Sequence, residues 1–497
     1  MTHQLNSIKK VLLLTPSFTV DKTSIRRLVN PINFLYIGAV LEQNGYEVVI
    51  VDSPCEGYDN ISEEGEYVTY GLSPEQIKER INLEKPDVVG VACSFSFNEE
   101  KVNKLCTLIK SLDTNIITIV GGIHPSFFPK EMMEECSDID FIVLNEGEYR
   151  ALNLLNALKN GKSYDEIEGI AFRKNNEIKI NPAKGFIQDL DKIPFPARHL
   201  VNMEKYFEIG MHANPFVRNR RVARVLTSRG CPFNCCFCPG TSYWGRFRPR
   251  SVENIIEEMR ILKEKYHAGE LHFLDDNLTL DRKRAMELFK RMKEEKFGFK
   301  WCTPGGIMMK TLDEELIKAM AESGCYQLTF SPETGSQRVL DQIIHKHFDL
   351  KIVKPLVEIC HKHDIDVHSN FIVGLPGETR EELMMTFNFA KEVDFDSVAF
   401  FIAVPVVGTE LYNICKTRGW LKNTSRTADF KHANIFIGEH EKEFVMPREE
   451  LEKLVETNTR EFNEWSKQKD PERWNRKFKI YNETKKDLSD KIMGRVV

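Results

Sequence analysis

The sequence is without any apolar run approaching the roughly 18 residues that a membrane-spanning helix needs. Its opening stretch, MTHQLNSIKKVLLLTPSF, is briefly apolar but lacks the small-residue cleavage site of a secretory signal. It reads instead as a first buried strand. A long basic tract is also missing, and the formal net charge is −5, which argues against nucleic acid as a partner. Internal repeats and low-complexity segments are absent too. What is present is ordinary: 41% hydrophobic and 29% charged residues over 497 positions. These numbers point to a cytoplasmic globular protein of two or three domains, with no transmembrane segment.

The chain has 12 cysteines, but a cytoplasmic setting makes disulfides unexpected. Cys55, Cys93, Cys106, Cys136, Cys302, Cys325, Cys360 and Cys415 stand singly and read as buried packing thiols. Tyr243 and Tyr326 read as packing residues as well. Cys231, Cys235, Cys236 and Cys238 crowd together, and such crowding points to a metal or cluster.

Up to about residue 157, short β-branched runs alternate with amphipathic helical patterns. The runs are Val11–Leu14, Val48–Val51, Val88–Val91, Ile116–Val120 and Phe141–Leu144, continuously apolar as strands buried on both faces are. Strand–helix alternation predicts a doubly wound parallel sheet, with ligands at the carboxyl ends of its strands. Those ends are small and polar, and Gly45 sits where a first helix must stop. Ile170 to Ile180 reads as a hairpin turning at Asn175-Asn176, followed by a proline-bearing linker.

A second alternating region starts at Val222. Its predicted strands are Val222–Thr227, Leu271–Leu274, Phe299–Cys302, Gln327–Ser331, Val367–Val373 and Val398–Val404. Thr311-Leu-Asp-Glu and Thr379-Arg-Glu-Glu read as capping boxes, and Gly324 as a C-terminal cap. About six β/α units are too few for a closed eight-fold barrel, so an open, partial barrel is expected. The end of the chain is charged and helical, with a helix starting near Met446-Pro-Arg.

The first strand of this region runs into Cys231-Pro-Phe-Asn-Cys235-Cys236-Phe-Cys238. Three thiolates on one short loop can hold three corners of an iron–sulfur cube and leave the fourth iron open. Structural zinc would need four ligands, and no second pair stands at suitable spacing. Cys236 is the spare thiol and reads as packing.

The CxxxCxΦC loop formed by Cys231, Cys235, Phe237 and Cys238 resembles the signature of the radical S-adenosylmethionine (SAM) superfamily. The resemblance implies a [4Fe–4S] cluster on the three cysteines and SAM chelated to its open iron. It implies reductive cleavage of SAM to a 5′-deoxyadenosyl radical. Phe273-Leu-Asp-Asp, with Asp275 and Asp276, resembles the family segment beside the SAM amino group. Ser331-Pro-Glu, with Ser331 and Glu333, resembles the ribose segment, and Asn370 to Gly374 the adenine segment. The bland alternatives are a helix cap for either aspartate and a surface salt bridge for Glu333. The arginines of Trp244-Gly-Arg-Phe-Arg-Pro-Arg-Ser are candidates for holding a carboxylate or phosphate, or are simply solvated.

A doubly wound sheet ahead of such a core resembles the cobalamin-binding (B12-binding) radical SAM family. The resemblance covers about residues 10–420. It implies an α/β protein with a cobalamin-binding-like Rossmann domain over residues 1–160 and a hairpin and linker over 161–220. A partial (β/α)6 radical SAM barrel over 221–425 and a helical C-terminal segment over 426–497 complete the division. Cobalamin would then meet Ser94, Ser96, Gly121, Gly122 and Glu146. The DxHxxG motif of many cobalamin proteins is absent, and His124 reads as a loop hydrogen-bonding residue. The implied activity is methyl transfer to an unactivated carbon, with ring closure, carbon–carbon coupling or oxidation as alternatives. A non-catalytic iron–sulfur redox sensor is the alternative from another class. Expected partners are a small-molecule, lipid or peptide substrate and an electron donor such as flavodoxin or ferredoxin.

Overall fold

A computed structural model describes residues 8–22, 24–214, 216–421 and 446–493. The expected boundary at residues 425/426 falls outside them. Two compact units emerge, meeting in sequence between Met211 and His212. Among the described residues, no helix is long and apolar enough to cross a membrane.

The first unit is built on a seven-stranded sheet. Its parallel part runs Glu47–Asp52, Lys10–Thr15, Val88–Ala92, Ile117–Gly121, Phe141–Val143 across the sheet. Leu12, Leu14, Val89, Val91, Val120 and Ile142 are almost wholly buried, as β-branched and leucine runs in a two-sided sheet must be. The helix Glu99–Leu112 buries Val102, Leu105, Cys106 and Ile109 against this sheet. The hairpin Ile170–Lys174 and Glu177–Asn181 is not a separate piece. It adds antiparallel to Phe141–Val143 and extends the same sheet. A small antiparallel sheet of Phe18–Asp21, Tyr67–Tyr70 and Ile61–Glu64, not foreseen, completes the unit.

The second unit holds six parallel strands in chain order: Val222–Val225, Glu270–Phe273, Lys300–Cys302, Cys325–Glu333, Asp366–Val373 and Ser397–Ile402. The first and last strands are not paired with each other, so the barrel is open. Alternate residues Ala223, Val225, Leu271, Phe273, Trp301, Leu328, Phe330, Val367 and Phe371 pack with the surrounding helices in one core. The residues between them therefore lie on the inner face, because successive strand side chains alternate. The capping box at Thr379 forms, with Glu382 returning the bond. The one expected at Thr311 does not. Asp313 caps the helix Glu314–Glu322 instead, while the Thr311 hydroxyl meets Thr279 (2.6 Å) and donates to the Met308 carbonyl. Two long helices, Arg448–Lys469 and Pro471–Met493, close the chain, and Leu451 and Phe462 of the first join the core.

Candidate active site

The cysteine loop hangs between fixed points. The Cys236 N–H donates to the Ile344 carbonyl (3.1 Å) and its carbonyl accepts from Leu411 N–H (2.8 Å). Cys236 is thereby held in the core at 4% exposure. Its neighbours are not buried in this way: Cys231 and Cys235 are half-buried, and Cys238 is exposed. Thr241 ties the loop by donating to the carbonyl of Phe233 (2.6 Å) or Cys231 (3.1 Å). Two sulfurs already receive N–H donors, Cys231 from Asn277 Nδ2 (3.0 Å) and Cys238 from Gly240 N–H (3.4 Å). Such donors to sulfur orient and stabilise thiolate ligands. Burial pushes the Cys235 thiol up to about 12 and also raises Cys231 and Cys238, so iron binding must displace protons. Three reachable thiols, a fourth turned inward, and donors waiting on two sulfurs fit a cube with one free corner.

The two aspartates divide. Asp275 is 2% exposed and accepts from Thr227 N–H (3.1 Å), Thr227 Oγ1 (2.6 Å) and the Ser228 hydroxyl. It is no helix cap: it fastens the strand end that launches the cysteine loop. Asp276 is solvent-accessible, and desolvation followed by the Asp275 charge pushes its carboxyl up to about 6.

Glu333 stands at φ +69°, a left-handed backbone rarely adopted by glutamate, and is 6% exposed. Sequence reasoning missed its partner. Lys346 Nζ donates to Glu333 Oε1 (2.8 Å) and to the Ser331 carbonyl (2.6 Å). The pair is buried, not a surface bridge. Burial lowers the Lys346 ammonium's pKa, but the charge and hydrogen bond of Glu333 together with the neighbouring Cys235 and Cys231 outweigh this and hold it above its ordinary value. No sequence pattern announces the pairing; Lys346 follows the segment Val339–Ile344 by two residues, and that segment forms a π-helical turn, a feature common at functional sites. Gly374, at φ +78°, donates its N–H to Glu378 Oε2 (2.7 Å), and Leu375 N–H bonds the same oxygen (3.2 Å). Burial pushes Glu378 up to about 7.

The arginine-rich loop corrects an expectation. Arg250 is buried against Glu258 (2.5 Å) and Asn254 (2.7 Å), and Arg248 donates to the Trp244 carbonyl (2.6 Å). Both are structural. Arg246 alone is exposed.

In the first unit, Ser94 and Gly121 lie at strand ends, and a Cβ on Gly121 would meet only the Val143 carbonyl, at 3.6 Å. Gly122 has a different reason to be glycine. Its φ is +128°, and a Cβ would come 2.5 Å from the Cys93 carbonyl oxygen. Ser96 Oγ bonds His124 Nδ1 (2.9 Å), and His124 Nε2 faces Glu99 Oε2 (2.9 Å). His124 is thus a hydrogen-bonding residue held on both sides, on the short helix Ile123–Phe127. The Glu146 carboxylate accepts from Ile187 N–H (2.7 Å) and ties down the linker instead of projecting to a ligand.

Comparison with known proteins shows the family and the fold. Residues 225–390 match the Radical SAM superfamily and residues 19–155 match the B12 binding domain. The cytidylyl-2-hydroxyethylphosphonate methyltransferase of Streptomyces wedmorensis is 38% identical over 83% of this chain and 83% of its own. The chain belongs to the cobalamin-binding radical SAM family. A second relative, an uncharacterized methyltransferase of Pyrococcus horikoshii, is 33% identical over 84% of this chain and 87% of its own. The solved structure of the methyltransferase TsrM from Kitasatospora setae, with cobalamin and a [4Fe–4S] cluster, shares the fold: TM-score 0.67 at 18% identity, over 84% of this chain and 80% of that one. The protein is accordingly a radical SAM methyltransferase whose cofactors are a [4Fe–4S] cluster, SAM and cobalamin.

Proposed function

We propose that Cys231, Cys235 and Cys238 hold the cluster, that Asp276, Ser331, Glu333, Lys346 and Gly374 hold SAM, and that Phe237 packs beside it. Ser94, Ser96, Gly121 and Gly122 form the cobalamin side, with Glu146 positioning the linker. Loaded, these cofactors supply a 5′-deoxyadenosyl radical and a methyl group. The chain's own groups bind and orient. Glu333 offers carboxylate oxygens to two vicinal ribose hydroxyls. Lys346 brings a buried positive charge to a site where the SAM carboxylate must be neutralised. Asp276 offers an acceptor to the SAM ammonium, and Asp275 keeps that strand end in place. Gly374, without a side chain, lets the flat adenine approach the backbone.

The reaction we infer is methylation of an unactivated carbon in a small, polar, phosphorus-bearing metabolite. Two features support this substrate class. The relative at 38% identity is named for a cytidylylated hydroxyethylphosphonate. The inner face of the barrel is polar, with Gln327, Thr329 and Ser331 on one strand and His368 and Asn370 on the next, which suits neither a lipid nor a tetrapyrrole. We assign residues 1–160 to cobalamin, 161–220 to hairpin and linker, 221–425 to the barrel and 426–497 to a helical closing segment. A flavodoxin- or ferredoxin-type donor in the cytoplasm would deliver the electron, and no nucleic acid is required.

The observation that carries this reading is the outward trio of thiols around a core-bound Cys236. The test is anaerobic purification with cobalamin supplied, with visible spectra and iron and cobalt analysis. Cytidylyl-hydroxyethylphosphonate, SAM and a reductant are then added. The expected product is heavier by one methylene and accompanied by 5′-deoxyadenosine. A product that has lost hydrogen and gained no carbon would favour the cyclisation or oxidation alternative.

A further inference from the structure

A second cluster of ligand-type side chains lies deeper in the barrel. Glu270, His272 and Cys302 each offer one ligand atom, and these atoms lie within 4.8 Å of one another. All three residues are at most 1% exposed. They alternate with Leu271, Phe273 and Trp301 of the outer core, so they share the inner face. His272 stands three residues before Asp275, about 10 Å along an extended strand. The cluster is therefore separate from the cysteine loop.

Its surroundings are arranged like the outer shell of a metal site. Glu270 Oε2 accepts from the N–H groups of Arg218 (2.7 Å) and Asn219 (2.8 Å). That leaves Oε1 to His272 Nε2 (3.0 Å) and to the Tyr326 hydroxyl, which donates at 2.6 Å. Asn214 Nδ2 donates toward the Cys302 sulfur (3.5 Å). His272 Nδ1 is buried with no hydrogen-bond partner among the described residues. A buried polar nitrogen without a partner is costly unless something completes it.

We propose that Glu270, His272 and Cys302 bind one zinc-class divalent cation. One oxygen, one nitrogen and one sulfur ligand suit a borderline ion with tetrahedral preference, the Tyr326 oxygen or a water taking the fourth place. Binding releases the Cys302 thiol proton to solvent, and the carboxylate and thiolate then neutralise the dication inside the protein. The ion ties the second and third barrel strands to Asn214, Arg218 and Asn219, and its role is structural.

The test uses full-length protein in which Cys231, Cys235 and Cys238 are all alanine, prepared without cobalamin, so neither cluster thiols nor corrin can take the probe. Cobalt(II) is titrated in under anaerobic conditions. About one equivalent should bind, with a thiolate-to-cobalt charge-transfer band, and zinc should displace it. Adding Cys302→Ser, or His272→Gln should the serine variant fail to fold, should abolish the band while circular dichroism stays unchanged. Absence of stoichiometric cobalt in the folded triple variant, or a band that survives both substitutions, overturns the proposal. Neither outcome bears on SAM cleavage, which this preparation does not perform.

Discussion

The two sets of strand ends hold their polar groups in opposite ways. In the barrel they are charged and reactive: three thiols, Asp276, and a buried Glu333–Lys346 pair. In the doubly wound sheet the candidate ends at Ser94, Gly121 and Gly122 are small, and His124 behind them is held by a hydrogen bond to Ser96 with Glu99 on its other side. On the proposed assignment, one region binds by ligation and charge and the other by shape. A substitution in the first should therefore act through chemistry, and in the second through space.

The sharpest way to break this contrast is at Lys346. Lys346→Met leaves Glu333 buried without its counter-charge, a loss of about 3–5 kcal/mol when a buried pair is broken. Chemical denaturation should report that loss, and SAM binding should fall by at least tenfold. Unchanged SAM affinity would remove Lys346 from the site.

Next comes a pair of adjacent glycines. Gly122→Ala forces a Cβ to 2.5 Å from the Cys93 oxygen at φ +128° and should cost about 3 kcal/mol. Gly121→Ala has free space and should leave the melting temperature alone while weakening cobalamin binding, read from the visible spectrum. Equal effects of both substitutions on stability would contradict a binding surface made by shape.

Glu378 gives the barrel a pH signature. Its carboxyl is raised from 4.5 to about 7 by burial. A carboxyl with a raised folded-state pKa favours the fold most below 4.5, and that advantage is lost as pH rises through 7. The penalty above pH 7 reaches roughly 3 kcal/mol. Glu378→Gln keeps an acceptor for the Gly374 and Leu375 amides but cannot ionise. Urea midpoints at pH 5 and pH 8 should converge in the variant; an unchanged pH slope would remove Glu378 as its source.

The smallest effect expected separates the two aspartates. Asp275→Asn disturbs three hydrogen bonds and should cost about 1–3 kcal/mol. Asp276→Asn should leave stability nearly unchanged and weaken SAM binding. If Asp276→Asn destabilised as much as Asp275→Asn, the division of roles would fail.

How much of this was legible in the sequence follows a physical line. Strands buried on both faces announce themselves by unbroken apolar runs, and Cys236 was separable from its neighbours by motif spacing. The hairpin's place at the sheet edge was not legible, because its alternation does not say which partner it pairs with. At Thr311-Leu-Asp-Glu two residues could cap, and the choice fell to Asp313 because tertiary contacts occupy the Thr311 hydroxyl. Arg250 looked ligand-ready until Glu258, on the following helix, supplied a buried partner. Lys346 and Asn277 act through residues remote in sequence, Lys346 on Glu333 and Asn277 on Cys231.

The central claim is that three outward sulfurs, and not the fourth, anchor the cluster. The direct measurement is iron content and 5′-deoxyadenosine release after anaerobic reconstitution of two variants. Cys236→Ala should keep full iron and full SAM cleavage. The variant with Cys231, Cys235 and Cys238 all changed to alanine should lose both. A triple variant that retained its iron and still released the nucleoside would contradict the account.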